Sequence, residues 1–188
     1  LELKLWDKAF DLLKKKGIAT RPTSGKFQGC WIVKVEGEEE GEEKVLVRSD
    51  GTVTYIGKDI PYAACKLGIL PDRFNYDIFT QQPGGTILWS TSIGQGEEAH
   101  PSFGGADMAI TVIDVRQSRL QRIISHILSQ LAGESMGGRY IHLGYEVVSL
   151  SGDTAAKLGI KAEDRKFLHM SGRKGVYINA DDVLDALY

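Results

Sequence analysis

Apolar residues at helical spacing open the chain. Leu3, Trp6, Phe10 and Leu13 recur at intervals of three and four, which predicts an amphipathic helix already under way at Leu1. Lys14, Lys15, Lys16 and Gly17 then read as its end, with cations opposing the helix dipole and glycine as the stop. That basic run is more readily a helix terminus than an RNA contact. Short strands are expected at Cys30–Val35 and Lys44–Arg48, and the acidic stretch Glu36–Glu43 between them reads as a solvated hairpin loop. Ser49, Asp50 and Gly51 form a turn, Thr52–Tyr55 has strand composition, and Ile60–Leu67 has helical composition with Pro61 in its first turn.

Residues 71–107 are rich in Gly, Pro, Gln and Ser with one apolar island, Thr86–Trp89, and read as a long insertion carrying a short strand or hairpin. Met108–Ile113 is a continuous apolar run of the kind buried in a parallel sheet. A helix follows over Gln117–Leu131, with Leu120, Ile123, Ile124, Ile127 and Leu131 on its apolar face. Strand character returns at Tyr140–Leu150, Lys166–Met170 and Val176–Ile178, and a last helix is expected at Ala180–Tyr188, starting after Asn179. No internal repeat is visible.

Composition narrows the function classes. The 188 residues are 42% hydrophobic, enough for one domain or a large piece of one. A formal charge of -2 offers no basic field along the whole surface, so any RNA contact is local or made elsewhere. Cys30 and Cys65 are widely spaced, which favours neither a disulfide framework nor a zinc ribbon and points to a reduced, cytoplasmic protein. No apolar run reaches the roughly 18 residues of a membrane span, and there is no signal-peptide pattern. The leucine at position 1 and the helix already begun there read as a chain cut from something longer.

Polar residues gather at three places where an apolar strand gives way to a loop or helix, the position at which open α/β sheets bind ligands. In the first, Tyr55 and Asp59 lie four residues apart, so that phenol and carboxylate could converge on one ligand, although an aspartate at a helix start commonly caps amide groups. In the second, Gln117 could read a polar substrate without supplying charge, while Asp114 and Arg116 could equally pair with each other. In the third, His169 to Gly175, two glycines permit tight turns and Ser171, Arg173 and Lys174 offer donors suited to phosphate; a charged surface turn is the plainer reading. His100, His126, His142 and His169 show no metal-like spacing, and no serine-nucleophile elbow is present.

At these places the sequence resembles the arginyl-tRNA synthetases. Val45 to Ala63, V-L-V-R-S-D-G-T-V-T-Y-I-G-K-D-I-P-Y-A, is similar to the family's D-G-T-x-x-Y-x-x-x-D-I-x-Y-A segment. V-I-D-V-R-Q-S at Val112 to Ser118 is similar to its second strand-end motif, and H-M-S-G-R-K-G at His169 to Gly175 to the loop that stands for the K-M-S-K-S signature of class I synthetases. K-G-I-A-T-R near the start and I-H-L-G-Y-E-V-V at Ile141 to Val148 extend the likeness over nearly the whole chain.

The resemblance implies an α/β fold: the C-terminal half of a Rossmann-like nucleotide-binding catalytic domain, with a mostly parallel sheet and an antiparallel hairpin insertion. Residues 1–48 would be helix and hairpin of a connecting insertion, and residues 49–188 the second half of the core, with an irregular insertion at 71–107. Tyr55, Asp59 and Gln117 would form the arginine pocket, with Asp59 facing the guanidinium. His142 and Gly144 would lie on the adenine side. Met170, Ser171, Gly172, Arg173, Lys174 and Gly175 would close on the phosphates of Mg-ATP, with Met170, Ser171, Arg173 and Lys174 carrying the catalytic role. Substrates and partners would be L-arginine, ATP with Mg2+, and tRNA(Arg), with no structural metal. His169 and Gly172 depart from the two lysines of the class pattern, and no H-x-G-H motif occurs. Since that ATP-binding element lies upstream in the family, the chain is expected to be a fragment, inactive alone. A non-catalytic paralogue binding arginine, nucleotide or a protein is the rival reading. Chance turns in an unrelated α/β enzyme are a third.

Overall fold

The computed structural model describes residues 5–35, 43–71, 74–147, 149–157, 159, 167–169 and 179–187. Two compact units divide the chain, one of residues 1–112 and 117–143, the other of residues 113–116 and 144–188.

In the first unit, helix α1 (Leu5–Lys15) buries Ala9 and Leu13 and stacks Trp6 on Phe10, with ring centroids 4.8 Å apart. It ends as the sequence leads one to expect. Gly17, at φ +71°, lets the Ile18 amide donate to the Leu13 carbonyl and its own amide to that of Lys14, a paired closure that needs the left-handed conformation. Strands β1 (Ala19–Thr20), β2 (Trp31–Val33) and β3 (Lys44–Val47) then form a three-stranded antiparallel sheet.

The expected turn at Ser49–Gly51 is present: the Gly51 amide donates to the Arg48 carbonyl and Asp50 accepts from the Thr52 amide at 2.8 Å. The strand expected at Thr52–Tyr55 shrinks to a single bridge between Val53 and Val47. Helix α2 starts at Tyr55 and runs to Lys66, five residues ahead of the expected start at Ile60. Pro61 therefore sits inside the helix, where it has no N–H to offer the carbonyl of Gly57. Tertiary contacts hold the extra turn. Thr54 donates its hydroxyl to the carbonyls of Val45 and Leu46, and a Cβ on Gly57 would lie 2.9 Å from the Leu46 carbonyl oxygen and 2.7 Å from the Val53 side chain.

The region 71–107 carries a regular antiparallel hairpin, β4 (Asn75–Gln81) and β5 (Ile87–Ser92), longer than the apolar island alone signals. Strand β6 (Ala109–Asp114) leads through a 3-10 turn, Val115–Gln117, into helix α3 (Ser118–Ala132), the short helix α4 (Glu134–Gly137) and strand β7 (Tyr140–Tyr145). β6 and β7 pair in parallel, with α3 supplying the crossover such a pair requires. The first unit's core joins α1, α2, α3 and the antiparallel sheet through Leu13, Val33, Leu46, Ile60, Ile124 and Ile127, all fully buried.

In the second unit β8 (Ser149–Ser151) pairs antiparallel with β9 (Phe167–His169), with α5 (Gly152–Lys157) between them in sequence and α6 (Ala180–Leu187) after them. The expected single strand at Tyr140–Leu150 is thus two, β7 and β8. The fold is mixed α/β, but a mostly parallel sheet is not what forms: the described strands make small sheets, and β6 with β7 is their one parallel pair. The clearest antiparallel return is β4 to β5, joined by a short turn over residues 82–86. Among the described residues no helix is long and apolar enough to cross a membrane.

The contact between Gly57 and β3 yields a first expectation. Gly57→Ala forces a methyl group against backbone and should cost about 1–3 kcal/mol of stability, read as a lower urea midpoint with an unchanged slope.

Candidate functional site

Helix α2 buries Ile56, Gly57, Ile60, Ala63 and Ala64 against the core. Its outward face carries Tyr55, Asp59, Tyr62 and Lys66, spaced by four, three and four residues, so the side chains form one stripe along the helix. Tyr55 is 83% exposed, with the Lys58 ammonium 5.9 Å from its ring centroid. Asp59 is not the helix cap: Thr54 precedes the first turn, and Asp59 stands one turn further on, partly buried. Burial raises its pKa above the ordinary value, and the charge of Lys66 offsets this only in part. Among the described residues, no ion pair neutralises this carboxylate.

Helix α3 packs against α2 and brings two glutamines. Gln117 closes the 3-10 turn at the start of α3 and is exposed, without a side-chain capping bond. Gln121, one turn on, is 5% exposed, and the sequence reading passed over it. Its Oε1 accepts a hydrogen bond from the Tyr140 hydroxyl at 2.8 Å, and that hydroxyl accepts one from Thr111 at 3.1 Å. Tyr140 has its pKa raised by burial first, lowered by the Thr111 bond, and raised again by the charge of Asp59. Asp59 thus acts on the Thr111–Tyr140–Gln121 chain, whose members are neutral. A polar residue within the apolar face of α3, between Leu120 and Ile123, was the available signal for Gln121.

The remaining expected residues fall as follows. Asp114 and Arg116 pair with each other, Nε to Oδ1 at 2.9 Å and a terminal guanidinium nitrogen to Oδ2 at 2.7 Å, and the Arg116 amide also donates to Asp114. His142 is partly buried on β7, and Gly144 is exposed near the end of that strand, in the second unit. Met170, Ser171, Gly172, Arg173, Lys174 and Gly175 lie outside the described residues. Neither Cys30 nor Cys65 forms a disulfide among the described residues. Among the described residues no cluster of three or more His, Cys, Asp or Glu could hold a metal ion. A cavity of about 590 Å³ borders Tyr55, with Phe27, Arg48, Thr54 and Leu120 among its other walls.

No family model matches the chain. The arginine–tRNA ligase of Deinococcus radiodurans is 33% identical over 180 residues, 94% of this chain and 27% of that protein. That of Pyrococcus abyssi is 33% identical over 187 residues, 97% of this chain and again 27% of the relative. The chain is homologous to part of an arginyl-tRNA synthetase. The solved arginyl-tRNA synthetase of Thermus thermophilus superimposes with a TM-score of 0.67 and 29% identity, over 86% of this chain and 30% of that one. The mixed α/β arrangement described above therefore corresponds to part of a synthetase fold. The chain spans 27% of the length of the curated synthetases from D. radiodurans and P. abyssi.

The polar chain behind Asp59 is testable by itself. Tyr140→Phe removes the hydroxyl shared by Thr111 and Gln121 and leaves a buried amide oxygen without its donor. The expected loss is about 1–3 kcal/mol in chemical denaturation; an unchanged stability would mean the hydrogen bonds contribute nothing net.

Proposed function

We propose that this chain is the arginine-recognising part of an arginine–tRNA ligase and carries part of its nucleotide site. One observation supports the reading most directly: Asp59 is a partly desolvated carboxylate with no ion-pair partner among the described residues. Tyr55 lies one turn before it on the same helical stripe. A carboxylate held this way favours a cationic ligand, and the planar fork of a guanidinium suits it better than a compact ammonium. Tyr55 and Gln117 would complete the hydrogen bonding of the arginine side chain, Gln117 offering both a donor and an acceptor.

In the whole ligase the substrates would be L-arginine, ATP with Mg2+, and tRNA(Arg), in the cytoplasm. An oxygen of the arginine carboxylate would attack the α-phosphorus of ATP, with pyrophosphate leaving. A ribose hydroxyl at the tRNA terminus would then attack the carbonyl carbon of arginyl-adenylate, with AMP leaving. His142 and Gly144 would face the adenine. Met170, Ser171, Gly172, Arg173, Lys174 and Gly175 would serve the phosphates, their cations stabilising charge on the departing pyrophosphate.

Two experiments test this reading. Asp59→Asn should weaken arginine binding by about tenfold or more, the scale of a lost charged hydrogen bond, and leave the ATP requirement nearly unchanged. Calorimetric titration with arginine would read the first effect, and equal losses for both substrates would remove the assignment. The pH dependence has a defined sign. Because burial raises the pKa of Asp59 in the folded chain, arginine binding should fall as pH drops through a value above that of an exposed aspartate. Stability runs the other way: the raised pKa favours folding below the unfolded value, and that advantage is lost as pH rises through the folded one. Asp59→Asn should accordingly raise Tm at neutral pH while it weakens arginine binding. The second experiment is ATP–pyrophosphate exchange with the 188-residue chain and tRNA, which should give no signal; robust exchange would overturn the partial-site reading.

A further inference from the structure

The stripe that carries Tyr55 and Asp59 continues to Tyr62 and Lys66, and there it meets a cavity that the arginine reading does not use. About 380 Å³ is enclosed between the C-terminal half of α2 and the 71–107 insertion, within the size range of about 300–1,000 Å³ common for small-ligand sites. Tyr62, Phe74, Tyr76 and Phe103 supply aromatic walls, and Lys66 is the charged residue among the described residues of the lining.

The walls are held in place by backbone. The amide of Ala106 donates to the Lys66 carbonyl at 2.7 Å, tying the insertion to the last carbonyl of the helix. Gly96, at φ +72°, lies so close to Tyr76 that a Cβ there would meet the Tyr76 backbone nitrogen at 2.8 Å, and the Glu97 amide donates to the Tyr76 carbonyl. Packing accounts for Tyr76, which is 8% exposed and sits 4.3 Å from Phe103 between ring centroids. It does not account for Tyr62, which is 58% exposed at the rim, with the Lys66 ammonium 4.2 Å from its ring centroid.

We infer that this cavity binds a nucleotide, its base stacked on the aromatic walls with Tyr62 at the rim and its phosphate paired with Lys66. Aromatic side chains stack on any base because every base has a π-face, and an adjacent cation supplies the phosphate contact. Among the described residues that line the cavity, none is acidic. Cys65 contributes a buried thiol and Thr91 a hydroxyl, so the lining otherwise remains neutral.

The test is calorimetric titration of the 188-residue chain with adenosine 5′-monophosphate at low salt, beside adenosine and inorganic phosphate. The monophosphate should bind in the sub-millimolar range, and Tyr62→Ala should weaken it about tenfold, with Tyr62→Phe restoring it. Lys66→Gln should weaken the monophosphate and spare adenosine. Asp59→Asn removes a negative charge coupled to Lys66 and should not weaken monophosphate binding, whereas it should weaken arginine binding, so failure of the arginine reading and failure of this one remain separable. Absence of binding by the unmodified chain, or binding indifferent to Tyr62→Ala, would overturn the inference, as would a loss caused by Asp59→Asn alone. Tyr62 is exposed, so its replacement should leave the fold intact; an unchanged Tm checks this.

Discussion

The seating of the first turn of α2 on strand β3 is the contact on which the candidate site depends. Gly57 has no Cβ, and the helix uses that space to approach the Leu46 carbonyl, closer than any side chain would permit. Thr54 locks the same junction from the loop side, its amide and hydroxyl both directed at β3. With rotation about the helix axis thus constrained, Ile56 and Ile60 enter the core and Tyr55, Asp59, Tyr62 and Lys66 are left on the outer stripe. A shift of one residue at this junction would turn the carboxylate inward and bury it among aliphatic side chains, which desolvation forbids.

The environment of Asp59 follows from the packing of α3 beside α2. The helix brings Gln121, whose Oε1 accepts from the Tyr140 hydroxyl of β7, which in turn accepts from Thr111 of β6. The carboxylate is therefore partly stripped of water without an ion pair in return, and its raised pKa reports that cost. The carboxylate thus opposes stability in the free protein at neutral pH. Asp114 shows the contrast within the same chain: its partner Arg116 is two residues away, and hydrogen bonds from that arginine lower its pKa.

The insertion between Lys66 and Ala109 extends the working surface of α2. Its return segment docks on the helix end through the Gly105 and Ala106 amides, and the Glu97 amide holds Tyr76 through its carbonyl, so main-chain geometry helps to fix the aromatic walls there. Pro61 inside α2 is a local departure from ordinary sequence preference, whereas Gly96, at φ +72°, sits in a conformation that glycine adopts freely.

Much of this was legible in the sequence. The apolar periodicity of α1 and α3, the glycine closure at Gly17 and the turn at Asp50 depend on residues near one another in the chain, and their local chemistry is enough. The same holds for the pattern that resembles arginyl-tRNA synthetases, a linear order of motifs to which homologous proteins correspond over nearly the whole chain. The start of α2 was not legible. Proline reads locally as a first-turn residue, and only the fit of Gly57 against β3 allows it deeper in the helix. Nor could spacing reveal that the charge of Asp59 acts on Tyr140, which lies far along the chain, or that Gln121 turns inward to meet that phenol. Local sequence thus determined which segments form helices and where the chemical groups occur. Tertiary structure decided which of those groups lose water and which find partners, because desolvation and pairing are set by neighbours distant in sequence.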